Sequence, residues 1–243
     1  MSILGIDVGG SGIKGAPVDT DSGRLLNDRL RIETPEGGRP EDVAEVIARI
    51  AEHFDWQGTI GCALPAVVKR GVTLTAANIH DDWIGCDAGS LIADAARCPV
   101  TLVNDADAAG LAEMRFGAGR DQAGTVIVLT VGTGIGSAIF VDGRLVPNTE
   151  FGHLEIRGKE AEHRASDRVR KDRELSWRRW GERFSEVLGR LEALFWPDLF
   201  IVGGGVSKKH DRWAAHVTAG TPVVAAGLLN EAGIVGAAMA ARR

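Results

Sequence analysis

The sequence predicts an α/β protein built from two similar lobes, and two glycine-rich turns carry this prediction. "GSGIKGA" occupies residues 10–16, and "GTGIGSA" occupies residues 132–138 of the 243-residue chain. Each turn follows an apolar segment typical of a buried β-strand, and a second strand follows each turn. Both segments then reach a Val-Asp pair, at 18–19 and 141–142. We interpret this repetition as an internal duplication.

The elements of the first half alternate between strand and helix patterns. Residues 39–54 place Val43, Val46, Ile47 and Ile50 at helical spacing, with Pro40 near the helix start. We predict strands at residues 2–10, 13–19, 59–68 and 99–105. We predict helices at residues 39–54, 90–98 and 106–119.

The second half repeats the theme. It comprises strands within 125–146, a long charged helical stretch at about 161–194, a strand at 198–205 and a terminal helix at 231–242. We predict one lobe from residues 1–108 with about 231–243, and a second lobe from 109–230. Ligands of such lobes bind at the carboxyl ends of the strands, so a cleft between the lobes is the expected site.

Composition excludes several classes of protein. A net charge of −5 gives no reason to expect nucleic acid as a partner. An odd number of cysteines (Cys62, Cys86 and Cys98), without a CxxC pair, argues against a disulfide framework. The N-terminus lacks the pattern of a signal peptide, and the apolar runs are too short for a membrane span. We therefore expect a cytoplasmic protein that binds no membrane.

The glycine turns predict phosphate binding. Glycine lets backbone N–H groups approach an anion without a Cβ in the way, and the hydroxyls of Ser11 and Thr133 add donors. The alternative is a pair of tight hairpins without a ligand. Neither turn fits the Walker P-loop pattern. The predicted phosphate ligands in the turns are Gly9, Gly10, Ser11, Gly12, Gly132, Thr133 and Gly134.

Two charged residues flank the first turn. Asp7, on the preceding strand, is a candidate ligand of Mg²⁺, directly or through water or phosphate, or else a turn acceptor. Lys14, just after the turn, is either a phosphate ligand or a solvated surface lysine.

The pair Asn104-Asp105 ends an apolar strand, where buried polar groups need partners. A sugar hydroxyl is a natural partner, and Asp105 is placed to take its proton during attack on phosphorus. Asp107 is interpreted as a helix cap.

"TEFGHLEI" brings Glu150 and His153 together around Gly152. We interpret them as hydrogen-bonding partners of a polyhydroxyl ligand. Metal binding is the alternative, although no third ligand stands out at a suitable spacing.

Together these segments resemble the ROK sugar kinases, which have the two-lobed actin/hexokinase-like (ribonuclease H-like) fold with a duplicated βββαβα-type lobe. The resemblance covers nearly the whole chain and is greatest to the group that uses inorganic polyphosphate. It implies that Asp105 is the general base and that Asn78, Asn104, Asp105, Glu150 and His153 contact the sugar. "FIVGGGVSK" resembles the segment that faces the phosphoryl donor, which adds Gly204 and Lys208 to the phosphate site.

One departure from the family pattern concerns zinc. ROK proteins follow E-x-G-H with a cysteine cluster that binds structural zinc, whereas "LEIRGKEAEHRASDRVRKDREL" contains no cysteine. The resemblance therefore implies no structural zinc. It also makes Glu162 the best match to a further sugar-binding glutamate, with Glu155 as the competitor.

The same region is rich in cations, which are Arg164, Arg168, Arg170, Lys171, Arg173, Arg178 and Arg179. Such a stretch suits a polyanion such as polyphosphate. Because acidic residues are interspersed, the alternative is a solvated helix with many ion pairs.

The expected function is Mg²⁺-dependent phosphoryl transfer from polyphosphate, with ATP as a further donor, to the 6-hydroxyl of glucose. The resemblance also implies a homodimer. The nearest alternative is an ATP-only hexose kinase. A sugar-responsive regulator is disfavoured because the first strand begins near residue 3, which leaves no room for a DNA-binding segment. A sugar-binding module without catalysis is the remaining alternative, and acceptance of mannose or glucosamine stays open.

Overall fold

The computed structural model describes residues 1–76 and 79–242. The chain divides into two units, Met1–Ala112 with Glu231–Arg243, and Glu113–Asn230. The division falls within the helix Asp105–Phe116, and the predicted change of lobe at residues 108 and 109 lies in the same helix.

The first unit combines short hairpin strands with three longer helices and the start of a fourth. Its elements are β1 (Ser2–Gly9), β2 (Gly12–Asp19), β3 (Arg24–Leu25), β4 (Leu30–Ile32), α1 (Pro40–His53), β5 (Ile60–Leu64), β6 (Val68–Lys69), β7 (Val72–Thr73), α2 (Ala88–Ala96), β8 (Val100–Asn104), α3 (Asp105–Phe116) and the C-terminal α8 (Ala232–Ala240).

One sheet organises this unit, with the strand order β3-β2-β1-β5-β8 and with β4 also paired to β2. Strands β1, β5 and β8 are parallel, whereas β2 is antiparallel to β1. Helix α1 begins with Pro40 and packs the apolar stripe that contains Val43, Ile47 and Ile50 into the core.

Helix α8 packs against strands β1 and β5. A Cβ on Gly5 would overlap the backbone of Ile234, and a Cβ on Gly61 would overlap that of Ala237. Both glycines therefore allow the close approach of α8. This approach also brings Gly233, in the first turn of α8, against the carboxylate of Asp7.

The second unit repeats the same organisation. Its elements are β9 (Thr125–Val131), β10 (Ile135–Val141), β11 (Arg144–Val146), β12 (Glu155–Ile156), β13 (Lys159–Glu160), α4 (Glu162–Ala165), α5 (Asp167–Asp172), α6 (Trp177–Phe195), β14 (Leu199–Gly204), α7 (His210–Trp213) and β15 (Val223–Ala225).

Its main sheet has the order β11-β10-β9-β14-β15. As in the first unit, an antiparallel hairpin lies on one side of the first strand of the unit and parallel strands lie on the other. This shared pattern confirms the predicted α/β fold with a duplicated unit. Trp180 and Phe184 of α6 stack at a centroid distance of 4.9 Å within the core.

The stretch predicted to be helical at about 161–194 is helical, but it is not one continuous helix. The segment forms the separate helices α4, α5 and α6. Ser166 accepts a hydrogen bond from the Val169 N–H, and Ser176 accepts one from the Arg179 N–H, so each serine begins a new helix. Within the ranges described, no helix has both the length and the apolar composition needed to cross a membrane.

Candidate functional site

The parallel strands of the first unit end at one edge of its sheet, and the predicted polar residues lie there. In the β1–β5 register Asp7 is opposite Ala63, and in the β5–β8 register Leu64 is opposite Asn104. The first glycine turn, the Pro65-Ala66 segment and Asn104-Asp105 therefore follow neighbouring strands. The carboxyl edge of such a sheet is the usual position of a ligand site.

The first glycine turn is open on one side. Gly9 pairs with Gly12, which leaves Gly10 and Ser11 as the two turn residues. A Cβ built on Gly10 meets no described atom within 4 Å, and Gly10 is not among the residues with a positive φ. The packing and backbone of the described chain therefore do not require glycine here. Close approach of a phosphate ligand to the Gly10 backbone remains a prediction.

Two residues outside the motif hold the carbonyl groups of this turn. The Thr34 hydroxyl donates to the Gly9 carbonyl at 2.5 Å, and the Arg31 guanidinium donates to the Ser11 carbonyl at 2.6 Å. Sequence reasoning missed both residues. Their signal was weak, because they lie some twenty residues beyond the turn and no spacing rule connects them to it.

Asp7 and Lys14 face each other across the β1–β2 pair, and the Lys14 ammonium lies 3.2 Å from Oδ2 of Asp7. The side chains are 28% and 20% exposed, for Lys14 and Asp7 respectively, so Lys14 is not a freely solvated surface lysine. A half-buried carboxylate beside a phosphate-type turn is a hard oxygen donor that fits Mg²⁺. The roles of both residues toward Mg²⁺ and phosphate remain predictions.

Asn104 is a structural cap as well as a candidate sugar ligand. Its side-chain oxygen accepts hydrogen bonds from the N–H groups of Ala106 (2.9 Å) and Asp107 (3.1 Å), and its amide donates to the Ala66 carbonyl at 3.2 Å. The side chain is buried. Asn104 therefore satisfies two of the orphan donors at the start of α3.

Asp105 is the first residue of α3 and is half-buried. Its Oδ1 accepts a hydrogen bond from the N–H of Ala106 at 2.8 Å. This contact fixes the carboxylate at the carboxyl end of β8, on the same sheet edge as the first glycine turn.

A pocket of about 130 Å³ lies beside the first turn. It is lined in part by Gly9, Gly10, Thr34, Pro65 and the fully buried Trp83, whose indole N–H donates to the Gly38 carbonyl at 2.9 Å. The predicted sugar ligand Asn78 lies outside the described residues.

The second glycine turn is one residue longer than the first. Val131 pairs with Ile135, so Gly132, Thr133 and Gly134 form the turn, and the Gly132 N–H donates to the Gly134 carbonyl at 3.0 Å. A Cβ on Gly132 meets no described atom within 4 Å, as at Gly10. Thr133 is exposed at the tip.

Gly204 ends β14 next to this turn, because it pairs with Val131. Its φ of +76° and the 2.5 Å separation between a built Cβ and the Val131 carbonyl oxygen both require glycine. The Ser207 hydroxyl donates to the Gly204 carbonyl at 2.8 Å, and Lys208 follows on an exposed 3₁₀ turn.

The structure brings Glu150, His153 and Glu162 together in the second unit. Glu150 Oε2 lies 4.0 Å from His153 Nε2, and Glu162 Oε2 accepts a hydrogen bond from the Ile135 N–H at 3.3 Å. A Cβ on Gly152 would overlap the Ile135 carbonyl, so the glycine of E-F-G-H permits this packing.

Buried Ser137 anchors the segment that carries Glu150. Its hydroxyl donates to the Thr149 carbonyl at 2.7 Å and accepts from the Phe151 N–H at 2.9 Å. Sequence reasoning missed Ser137, although a serine within an apolar strand is a signal of a buried polar contact.

Two further residues join the acidic cluster. Glu160 Oε1 lies 3.2 Å from His153 Nδ1, and His163 Nδ1 lies 3.3 Å from Glu160 Oε2. Ligand atoms of His153, Glu160 and Glu162 lie within 4.8 Å of one another, so Glu160 is the third potential metal ligand that sequence spacing did not indicate. Glu155, the competitor of Glu162, is exposed on β12 and is not one of these three.

Burial raises the pKa of Glu150 above the ordinary carboxyl value, His153 partly offsets this rise, and the Glu162 carboxylate adds to it. A carboxyl group with a raised pKa suits a hydrogen-bonding role toward neutral hydroxyl groups better than a role as a permanent countercharge.

Much of the predicted cationic stretch is ion-paired. Asp167 pairs with Arg170 and Lys171, both at 2.8 Å. Burial raises the pKa of Asp167, but the hydrogen bonds and charges of Lys171 and Arg170 outweigh it, so the net pKa is lowered. The remaining pairs are Arg164 with Glu186 and Arg178 with Glu182.

The other cations of this region make no ion pair with the described residues, and they are Arg168, Arg173, Arg179 and Arg183. Burial and the nearby Arg173, Arg164 and Arg179 lower the pKa of Arg183, which reflects crowding of like charges. The backbone N–H of Arg168 donates to the Gly132 carbonyl at 3.2 Å, which places this arginine beside the second glycine turn.

Comparisons with known proteins agree with this geometry. A sequence profile described as "ROK family" matches residues 3–166. The chain is 52% identical over 238 residues to a polyphosphate glucokinase of Mycobacterium tuberculosis, which covers 98% of this chain and 90% of that protein. It is 51% identical to a polyphosphate glucokinase of Mycobacterium leprae, covering 98% of this chain and 74% of the relative.

The chain is also similar to solved structures of sugar kinases. A polyphosphate/ATP-glucomannokinase from Arthrobacter sp. strain KM superposes with a TM-score of 0.94 at 45% identity, covering 98% of this chain and 97% of that one. A ROK family glucokinase from Streptomyces griseus, in complex with glucose and AMPPNP, has a TM-score of 0.84 at 27% identity and covers 100% and 99%.

Proposed function

Because the chain belongs to the ROK family, we propose that it transfers a phosphoryl group from inorganic polyphosphate to the 6-hydroxyl of glucose, with ATP as a second donor. The observation that carries the proposal is the position of Asp105, fixed by the Ala106 N–H on the same sheet edge as the open first glycine turn. This arrangement would provide a base and a phosphate cradle at one edge, and two relatives that match 98% of the chain are named polyphosphate glucokinase and polyphosphate/ATP-glucomannokinase.

Asp105 accepts the proton of the attacking sugar hydroxyl. Asn104 holds Asp105 indirectly, since it caps the helix that Asp105 begins. With the base held by the Ala106 N–H, little reorganisation is needed when the hydroxyl is positioned. Asn78, Glu150, His153 and Glu162 contribute hydrogen bonds to the sugar, with Glu150 protonated more readily than an ordinary carboxyl group.

The phosphoryl donor is held by the N–H groups of both glycine turns and by Lys14. Gly204 and Lys208 extend this phosphate site. Asp7 would hold Mg²⁺ through water or phosphate, and a bound Mg²⁺ would supply charge neutralisation for the donor.

The arginines without ion pairs support polyphosphate as the donor. Arg168 lies beside the second glycine turn, and Arg173 and Arg179 lie close enough to Arg183 to lower its pKa. A long polyanion binds more strongly where several cations without ion pairs lie close together, whereas a nucleoside triphosphate contacts fewer of them.

The test is a donor and acceptor assay on the full chain. Glucose and Mg²⁺ are incubated with polyphosphate or with ATP as the sole donor, and glucose 6-phosphate is measured. We expect a rate with polyphosphate that exceeds the rate with ATP. Mannose is included as acceptor because the Arthrobacter relative is called a glucomannokinase. A rate with ATP alone would leave an ATP-dependent hexose kinase, and no rate with either donor would overturn the proposal.

A further inference from the structure

The first glycine turn carries a cation that the motif does not contain. Arg31 lies exposed on β4 and donates Nη2 to the Ser11 carbonyl at 2.6 Å. Its guanidinium lies against Gly12, where a Cβ would be 2.6 Å from Nε and 2.8 Å from Cζ. A side chain at position 12 would therefore displace the Arg31 guanidinium, whereas the backbone of Gly12 has no left-handed φ that would itself require glycine.

Three charged residues form a row across neighbouring strands. Arg31 on β4 is opposite Lys14 on β2, and Lys14 is opposite Asp7 on β1. Directly opposed side chains share one face of a sheet, and like charges in this position destabilise it. Asp7 compensates Lys14 at 3.2 Å.

Arg31, by contrast, makes no ion pair with any residue in the described ranges. The row therefore carries one uncompensated positive charge next to the turn. The positive charge of Arg31 thus lies directly across from the positive charge of Lys14. An anion bound there removes the conflict.

The hydrogen bonds of the turn favour the same conclusion. The carbonyl groups of Gly9 and Ser11, which would repel an anion, are engaged by Thr34 and Arg31. An arginine side chain has five N–H donors in a planar fork that matches phosphate oxygens. One donor to Ser11 leaves the others for a ligand.

We propose that Arg31 is a ligand of the donor's phosphate chain at the first glycine turn, next to the phosphate that the turn and Lys14 bind. This inference rests on the proposed function, since it takes the donor to be a chain of phosphates. It adds to the site a residue on β4, outside the glycine-turn motif.

The experiment compares the full-length wild type with Arg31→Gln, Arg31→Lys and the control Arg24→Gln. Arg24 is an exposed arginine on the other short strand that pairs with β2, opposite Asp19 and far from the turn. Glutamine at position 31 keeps a donor for the Ser11 carbonyl and removes the charge. Binding of tripolyphosphate is measured by calorimetry without glucose, over a range of salt concentrations, and the KM of donor and glucose are measured separately.

We expect Arg31→Gln to weaken tripolyphosphate binding and to raise the donor KM by about tenfold, as for loss of one charged hydrogen bond. The slope of log Kd against log salt falls by roughly one, as for one lost phosphate contact. Lysine restores part of the affinity. The glucose KM, the melting temperature and the behaviour of Arg24→Gln stay unchanged.

Unchanged tripolyphosphate affinity in Arg31→Gln overturns the inference. So does a loss shared equally by donor and glucose together with a lower melting temperature, because this would indicate a purely structural role. If the wild type binds tripolyphosphate but phosphorylates no sugar, the proposed function fails while the Arg31 comparison still decides the inference.

Discussion

Lys14 Nζ lies 3.2 Å from Asp7 Oδ2, and the two residues face each other across the first hairpin of the chain. The pair joins a candidate phosphate ligand to a candidate Mg²⁺ ligand in one contact. Before a donor binds, each group offsets the charge of the other. Under the proposed function, a phosphate of the donor would replace Asp7 as the partner of Lys14 and a metal ion would replace Lys14 as the partner of Asp7, so the site would need no large rearrangement.

We expect Lys14→Gln to raise the donor KM by about tenfold or more, since a charged hydrogen bond is lost. Asp7→Asn should raise the Mg²⁺ concentration needed for half-maximal rate. Both constants come from initial rates at saturating glucose, and the glucose KM is expected to stay unchanged. The double variant Lys14→Gln/Asp7→Asn distinguishes ligand-binding roles from a purely structural ion pair. If the pair were only structural, removing both charges would restore the activity that either single substitution had lost.

A comparison of glycines with open and crowded surroundings gives a second prediction. At Gly10 and Gly132 a Cβ meets no described atom within 4 Å, whereas at Gly61 it would overlap the backbone of Ala237. We expect Gly10→Ala and Gly132→Ala to change the free energy of unfolding by less than about 0.5 kcal/mol. Their donor KM should rise several-fold.

The control is Gly61→Ala, which should lose about 3 kcal/mol or more of stability, because it forces α8 away from β5. Denaturant unfolding measures the stabilities. An unchanged donor KM in both Gly10→Ala and Gly132→Ala would indicate that the two turns are tight hairpins that bind no phosphate.

The sequence predicted most elements of both units because their signals are local. The strand that ends at Gly9, helix α1 and the strand that ends at Asn104 follow from apolar periodicity and from capping residues. The breaks between the helices within residues 161–194 also have a local origin. Ser166 and Ser176 are helix starts, but charged residues on both sides gave a continuous helical pattern.

The parts of the site that sequence reasoning missed depend on contacts between distant residues. Arg31 and Thr34 reach the first turn because β4 pairs with β2, and Glu160 reaches His153 through the β12–β13 hairpin. Neither contact has a spacing signature, because short strands with two or three residues carry little periodicity. Asn104 was found, but its capping role follows from the N–H groups that it meets in the folded chain.

The double role of Asn104 gives a third prediction. Asn104→Ala removes the cap of α3 and should cost about 1–2 kcal/mol of stability, while the sugar affinity falls. Asp87→Ala is the matched control, because Asp87 caps α2 by accepting from the Ser90 N–H at 3.2 Å. Thermal unfolding and glucose KM are measured for both variants. An unchanged glucose KM in Asn104→Ala would indicate that Asn104 caps α3 but does not bind the sugar.

The raised pKa of Glu150 gives a fourth prediction, on pH. Burial, with the Glu162 carboxylate, favours the protonated form in the folded chain, so ionised Glu150 destabilises the fold above the raised pKa. Glu150→Gln should therefore melt higher than the wild type near pH 7.5, by at most about 2 °C. The difference should disappear as the pH falls toward the ordinary carboxyl value, where the wild type binds its proton.

The same substitution should raise the glucose KM by about tenfold, because the sugar loses a carboxylate acceptor. Glu155→Gln, at an exposed position on β12, serves as the control for both measurements. A lower melting temperature in Glu150→Gln at neutral pH would contradict the assignment of the charge as destabilising.

The fifth prediction concerns the base. Asp105→Asn keeps the shape of the side chain and an acceptor for the Ala106 N–H, but it cannot take a proton. We expect kcat to fall by about 10²–10⁴, while the glucose Kd changes by less than about threefold. Asp94→Asn, at an exposed position on α2, is the matched control and should retain full activity.

Glucose binding is measured by calorimetry, and turnover by the release of glucose 6-phosphate. Because the melting temperature of Asp105→Asn reports on the contact with Ala106, an unchanged value together with the loss of turnover would separate proton transfer from folding. Near-normal turnover in a folded Asp105→Asn variant would require a different base.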